Sequence, residues 1–397
     1  MTSPATAAAG ALAGIRVLDL TRALAGPWCT QNLADLGAEI IKVERPGEGD
    51  ETRTWGPPWM QDQDGADSTQ SSYFLCCNRN KKSITVDIAT AEGQAEIRKL
   101  AQSADMLVEN YKVGQLRKYG LDYASLQQIN PGLIYCSISG FGQNGPWAHR
   151  PGYDFVSQGM SGFMSVTGEH SSVPGAGPQK AGIGIADLFT GMYATVAVLA
   201  ALHHRSRHGA GQYIDISLLD SMVAAMGNMN TSYLASGVAP GRYGNAHQNI
   251  VPYGVFATAD GHVIIGVGND SQYRKFCAAA QRPDLAADPR FLTNTQRVQQ
   301  RAVLVPMIED IVRQHTRAEW IERLDAAGVP CAPINNVAEA LNNPQIDARG
   351  LRIDMPHTSG ATAKLVGSPM KLSATPVSYR LAPPLLGEHN EEILGRR

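Results

Sequence analysis

IRVLDLTRALAGPWCTQNLADLGAEIIKVER, residues 15–45, reads as strand, helix and strand. The β-branched runs IRVLDL (15–20) and AEIIKVER (38–45) flank CTQNLADLG, whose apolar residues fall at helical spacing and which closes on Gly37. Working outward, the runs SITVDI (83–88), MLVENY (106–111) and LIYCSISGF (133–141) repeat the strand pattern, and TAEGQAEIRKLAQSA offers a second helix with Thr90 as its cap. Short β-branched runs alternating with helical patterns predict an α/β fold with a doubly wound, Rossmann-like large domain.

Farther along, residues 51–70 are rich in polar residues, glycine and proline and read as a long surface loop. LFTGMYATVAVLAALHH predicts a largely apolar helix after Asp187, and YIDISLLDS a further strand. A new α/β unit with a strand at HVIIGVGN and helices around QYRKFCAAAQ, LVPMIEDIVRQHT and RAEWIERLDAAG predicts a second, smaller domain. The expected division is a flexible tail over 1–13, a large domain over 14–220, a small domain over 221–340, and a segment, 341–397, that returns to the large domain.

Length agrees with this division, since 397 residues exceed the size at which a single core usually stops growing. Thirty-four basic against 36 acidic residues create no overall field for nucleic acid or an anionic membrane. Six cysteines without CxxC spacing read as reduced thiols in a cytoplasmic setting. The N-terminus lacks the basic flank and apolar core of a signal peptide, and no later stretch reads as a membrane span. The histidines show no HExxH spacing and no cluster with cysteines, so no metal site is expected.

TRALAGPW stands where a dinucleotide-binding G-x-G-x-x-G would be, which disfavours a dehydrogenase. Glu44 and Arg45 end the second strand, either as a solvated ion pair or as contacts for a ribose, phosphate or adenine. Arg79, Lys81 and Lys82 put three cations near one turn, which suits either solvent or a phosphate ester. Asp187 stands at the start of an apolar helix, where the macrodipole favours its ionised form. The residues alone favour an ordinary N-cap there over a nucleophile.

GIRVLDLTRALAGPWCTQNLADLGAEIIKVERPGEGDETR, NRNKKSITVDI, DMLVENYKVGQL, INPGLIYCSISGFGQNGP, RPGYD, DLFTGMY and PPLLGEH together resemble the class III CoA-transferases, a family that also contains α-methylacyl-CoA racemases. RYGNAHQNIVPYGVFATADGHVIIGVGN and GVPCAPINNVAEALNNPQ most resemble the succinyl-CoA:glutarate branch. The resemblance implies a large and a small domain, an interlocked homodimer, acyl-CoA and small carboxylic acids as substrates, and no tightly bound cofactor. It also turns the reading of Asp187 from cap to nucleophile, with Tyr153 and Asp154 as catalytic residues that orient substrate.

For coenzyme A the resemblance points to Leu24, Ala25, Arg45, the run Val86, Asp87, Ile88 and Ala89, then Asn110, Tyr111 and Lys118. At Pro151 the chain departs from relatives with lysine there, and no phosphate contact is carried over. A dicarboxylate needs a cation for its remote carboxylate, and Arg53, Arg150, Arg242 and His247 are the candidates. GVGN (266–269) and RYGNAH (242–247) read either as covering loops or as turns. The alternative, an α-methylacyl-CoA racemase, is weakened by Tyr153 in the place of that branch's histidine, because a phenol of ordinary pKa is a poor base.

Overall fold

The computed structural model describes residues 10–395. Four of the expected tail residues, 10–13, are among these, and they are tied down. Leu12 is buried and its N–H donates to the Leu36 carbonyl at 2.9 Å. The rest of the expected tail lies outside the described residues.

The chain divides into two compact units, residues 1–164, 180–238 and 345–397 forming the first and 165–179 with 239–344 the second. Residues 221–238 thus fall with the first unit and not with the expected small domain. The reason lies in helix packing: the apolar run from Leu218 to Ala225 continues directly from a strand of the first unit's sheet and buries Leu218, Ser221 and Met222 there.

In the first unit, β1 (Arg16–Leu20), β2 (Glu39–Glu44), β3 (Trp59–Gln61), β4 (Asp67–Ser71), β5 (Lys81–Thr85), β6 (Met106–Glu109), β7 (Ile134–Ser139) and β8 (Tyr213–Ser217) follow in order. Six of them make a parallel sheet in the order β5-β2-β1-β6-β7-β8. Alternation of side chains feeds two cores. Val17, Ile40, Val108 and Cys136 pack on one face with the helix α1 (Ala25–Asp35), whereas Leu18, Ile41, Ile84 and Leu107 pack on the other. Thr90 caps α3 (Ala91–Gln102) on that second face by accepting the Gly93 N–H, as its sequence predicts. Between α1 and α3 lies the short helix α2 (Ser72–Leu75).

The polar stretch 51–70 is not one long loop. It contains a single helical turn, Glu51–Thr54, and the antiparallel pair β3–β4. Most of its residues are exposed, with Met60 its one buried apolar side chain, which leaves little apolar signal to read.

Three more helices of this unit matter below: α4 (Asp154–Met160), α5 (Ile185–His208) and α6 (Leu218–Ala225). By length and composition alone α5 is long and apolar enough to cross a membrane, against the expectation of no such stretch. It lies instead along α1, with Thr190, Gly191, Ala194, Thr195 and Val198 buried. A methyl group at Gly191 would come within 2.6 Å of the Ala25 carbonyl, so glycine sets how closely the two helices approach.

The second unit is a three-stranded antiparallel sheet of β9 (Tyr253–Ala257), β10 (His262–Gly266) and β11 (Cys331–Pro333). Helices α7 (Asp270–Ala279), α8 (Arg301–Val312) and α9 (Arg317–Ala327) build its core around Phe276, Phe291 and Trp320. The C-terminal segment of the first unit carries the pair β12 (Arg352–Pro356) and β13 (Thr362–Val366), and Arg380 donates from there to the carbonyls of Ala34 and Ala38.

Candidate active site

The order of the parallel sheet reverses between β1 and β6, where ligands of open α/β sheets bind beyond the carboxyl ends of the strands. A cavity of about 510 Å³ lies there. Its wall comes from residues 22–25 after β1, 110–113 after β6, Ser139 and Gly140 after β7, the segment 148–155, Trp55, Tyr73, and residues around Asp187. Every lining residue belongs to the first unit.

A network of buried ions holds this wall. Asp19, in β1, accepts from Thr21 N–H at 2.9 Å, Thr30 Oγ1 at 2.6 Å and Lys81 Nζ at 3.0 Å. Burial raises its pKa, but Lys81 and Lys42 outweigh burial and hold the carboxyl below the usual range. Lys42 Nζ bridges the Thr21 carbonyl at 3.0 Å and Asp50 at 2.9 Å, and Asp50 in turn accepts the Ala23 N–H at 3.2 Å. Arg79 forks onto Asp35, and Lys82 bridges Glu39 and Glu392. The three cations of NRNKKS are therefore not a phosphate-binding turn. Arg79 and Lys81 are neutralised inside the fold, and Lys82 is paired at its rim.

Asp187 is the third residue of α5, not its cap; Gly184 precedes the helix and Ile185 opens it. The capping is done from a distance by Asp154, whose Oδ1 accepts the N–H groups of Ala186 at 2.7 Å and Asp187 at 3.2 Å. Gln158 Nε2 fixes the other oxygen of Asp154 at 2.6 Å. Among the described residues the Asp187 carboxylate has neither a hydrogen-bond donor nor a cation, and burial first, then the like charge of Asp154, push its pKa up to about 7. Gly184 makes room: a methyl group there would stand 3.7 Å from an oxygen of each carboxylate and 3.1 Å from Leu24.

Gly140 and Gly152, both in the cavity wall, pack backbone on backbone, and a methyl group on Gly140 would meet the Gly152 Cα at 2.5 Å. This contact brings the segment carrying Arg150, Tyr153 and Asp154 against the end of β7. Arg150 has its Cζ 5.5 Å from the Phe141 ring centroid and 5.4 Å from that of Trp147, and no acid pairs with it among the described residues.

Of the residues expected at the site, Leu24, Ala25, Asn110, Tyr111, Arg150, Tyr153, Asp154 and Asp187 meet in this cavity. Val86, Asp87, Ile88, Ala89 and Lys118 follow β5 and β6 at the same edge of the sheet but do not line it. Arg45 leaves β2 exposed and pairs with Glu48 at 3.0 Å, so the expected pair with Glu44 does not form. Glu44 is instead held by both Nε and Nη2 of Arg53 at 2.7 Å, and Arg53 stacks 3.7 Å from the Phe74 ring; its fork is occupied. Arg242 and His247 lie in the second unit. There Arg242 donates to the carbonyls of Glu169 and Ala176, and His247 Nδ1 accepts from Asn249 N–H. In GVGN, Gly268 donates to Gln272 and Asn269 caps α7, which is a turn role. Among the described residues no cluster of His, Cys, Asp and Glu suits a metal ion.

Sequence reading missed Arg22, Trp55, Tyr73, Lys112 and Lys180 in the wall. Trp55 and Tyr73 pack edge to face at 4.9 Å, from the stretch read as a long surface loop and from α2 that follows it.

Residues 12–390 match the family described as CoA-transferase family III. The chain belongs to that family. As a family III transferase it is an enzyme that transfers coenzyme A, and its sequence is similar to named relatives over almost their whole length. It is 47% identical over 383 residues to the succinate–glutarate CoA-transferase of Agrobacterium fabrum, covering 96% of this chain and 94% of the relative. It is 41% identical to the human succinyl-CoA:glutarate CoA-transferase, covering 96% and 85%. Among solved structures, a CAIB/BAIF family protein from Brucella suis superposes with a TM-score of 0.84 at 46% identity over 98% of this chain and 99% of that one.

Proposed function

We propose that this transferase moves coenzyme A from succinyl-CoA to a short dicarboxylate such as glutarate, with Asp187 as a covalent nucleophile. The observation that carries this reading is a carboxylate without a partner at the head of a long helix, in the wall of a cavity, with a second carboxylate capping that helix in its place.

Attack of the Asp187 carboxylate on the thioester carbonyl forms a mixed anhydride and releases CoA thiolate. The thiolate attacks the aspartyl carbonyl, giving an aspartyl-CoA thioester and free succinate. The acceptor carboxylate attacks that thioester, and the returning thiolate takes the new acyl group, leaving the Asp187 carboxylate as it began. No bond energy is lost to water if the cavity stays dry, so exchange needs no nucleotide. The oxyanions form beside the first N–H groups of α5, where the helix dipole favours negative charge.

Leu24, Ala25, Asn110 and Tyr111 form the part of the wall suited to the pantetheine arm. Arg45, Val86–Ala89 and Lys118 stand at the same sheet edge for the nucleotide end. Of the four cationic candidates for the remote carboxylate, Arg53, Arg150, Arg242 and His247, Arg150 is the one that lines the cavity, and its two aromatic neighbours favour the guanidinium's placement there. Replacing it, Arg150→Met, raises KM for glutarate and leaves the Kd of free coenzyme A unchanged in calorimetry. Weaker binding of free coenzyme A would assign Arg150 to a phosphate instead.

The acceptor is tested by incubating the enzyme with succinyl-CoA and a panel of mono- and dicarboxylic acids and identifying new acyl-CoA species by mass spectrometry. Glutaryl-CoA at the highest rate supports the proposal; faster transfer to a monocarboxylic acid contradicts it.

A further inference from the structure

Cys76 and Cys77 directly follow α2, the helix whose Tyr73 lines the cavity, and Cys76 is its C-cap. The two thiols differ. Cys76 is exposed and Cys77 fully buried. Cys77 donates its S–H to the Ala23 carbonyl at 3.7 Å, and Ala23 lies in the cavity wall between Arg22 and Leu24. Ala23 is left-handed, with φ +63°, a conformation that a non-glycine residue keeps only when neighbours hold it. Its two holds are the Asp50 carboxylate on the N–H and the Cys77 thiol on the carbonyl.

The surroundings also set which sulfur reacts. The neighbouring Cys77 thiol holds the Cys76 thiol below its ordinary range, helped by the nearby cations Lys81 and Arg79 against the effect of burial. The Cys76 sulfur and then burial push the Cys77 thiol up. An accessible sulfur directly beside a buried one is the arrangement of a reactive thiol and its resolving partner.

We propose that the Cys76–Cys77 pair is a reversible oxidation site that disables the cavity holding Asp187. A hydroperoxide oxidises the Cys76 thiolate to a sulfenic acid and is itself reduced, releasing hydroxide. The Cys77 sulfur then displaces the sulfenic oxygen, which leaves as water with the Cys77 proton, and a Cys76–Cys77 disulfide forms. Two electrons pass from the two thiols to one peroxide bond. The new bond removes the S–H that holds the Ala23 carbonyl. It also draws on a Cα spacing of about 3.8 Å, shorter than disulfides ordinarily span. The end of α2, where Cys76 N–H bonds the Ser72 carbonyl at 3.2 Å, yields with it and carries Tyr73. A strained disulfide of this kind is readily reduced.

The test treats the full-chain enzyme with hydrogen peroxide, alkylates free thiols, and reads both the peptide containing Cys76 and Cys77 and the rate of CoA transfer. The expected result is a peptide two hydrogen atoms lighter and closed to alkylation, a loss of transfer in step with it, and recovery of both with dithiothreitol. Cys76→Ser, an exposed and conservative change, keeps its rate under peroxide, and in Cys77→Ala a sulfenic acid at Cys76 is trapped by dimedone. A peptide that stays fully alkylatable while the enzyme is inactivated overturns the proposal. So does a Cys76→Ser variant that loses activity as fast as the parent. The peptide mass decides on the oxidation site even if glutarate proves not to be the acceptor.

Discussion

The pKa of about 7 at Asp187 has a kinetic consequence, because only the carboxylate attacks a thioester. We predict that kcat/KM falls by one proton's slope as pH drops through about 7 and is level above it. Asp154→Asn keeps the oxygen that caps α5 but removes the neighbouring charge. Its midpoint therefore moves to lower pH, yet stays above that of an ordinary carboxylate, since burial is the larger cause. An unmoved midpoint would assign the titration to another group. Stability carries the opposite sign. A carboxyl whose pKa is raised on folding opposes the folded state above its unfolded value, and below both values it has no effect. Asp187 became legible from the sequence only through resemblance, for its local string fits a cap equally well. Asp154 is named by the same route, as a residue orienting substrate, but its bonds to Ala186 and Asp187 N–H span more than 30 positions and leave no local trace.

At the scale of elements, the strands at 15–20, 38–45, 106–111 and 133–141 were legible because each is buried on both faces and reads as a β-branched run. The β3–β4 pair was not, since one face meets solvent and its composition is that of a turn. Nor was the fate of Arg79 and Lys81 legible, whose partners Asp35 and Asp19 lie 44 and 62 positions away. Gly140 and Gly152 illustrate how elements make the site. Their contact seats the 148–155 segment, and Gly152→Ala would force the two backbones apart, with a methyl group 2.4 Å from the Gly140 Cα. We expect kcat/KM to fall roughly 10- to 100-fold through misplacement of Tyr153 and Asp154, with a smaller loss of thermal stability. Unchanged kinetics in the variant would show that the seating does not matter.

At the scale of the whole molecule, the first unit leaves a broad apolar surface. Phe155, Val156 and Met160 on α4, Phe189, Met192, Tyr193 and Val196 on α5, and Val223 on α6 are all exposed. An apolar surface of this kind marks one that another body covers, and we propose that a second copy of the chain is that body, as the family resemblance implies. Such a cover would also account for an α5 apolar enough to pass for a membrane span. Sedimentation of the pure enzyme should give twice the 42.5 kDa chain mass, and Val196→Asp should lower the association. A parent protein sedimenting as a single chain at micromolar concentration would leave the patch to some other partner.

The covalent role of Asp187 is read out by mixing the enzyme with succinyl-CoA, quenching within one turnover, digesting, and searching for coenzyme A on a carboxylate by mass spectrometry. A CoA adduct is expected on the peptide containing Asp187, released by hydroxylamine and absent from an Asp187→Asn variant that no longer exchanges acids. An adduct on another residue, or undiminished exchange by Asp187→Asn, would contradict it.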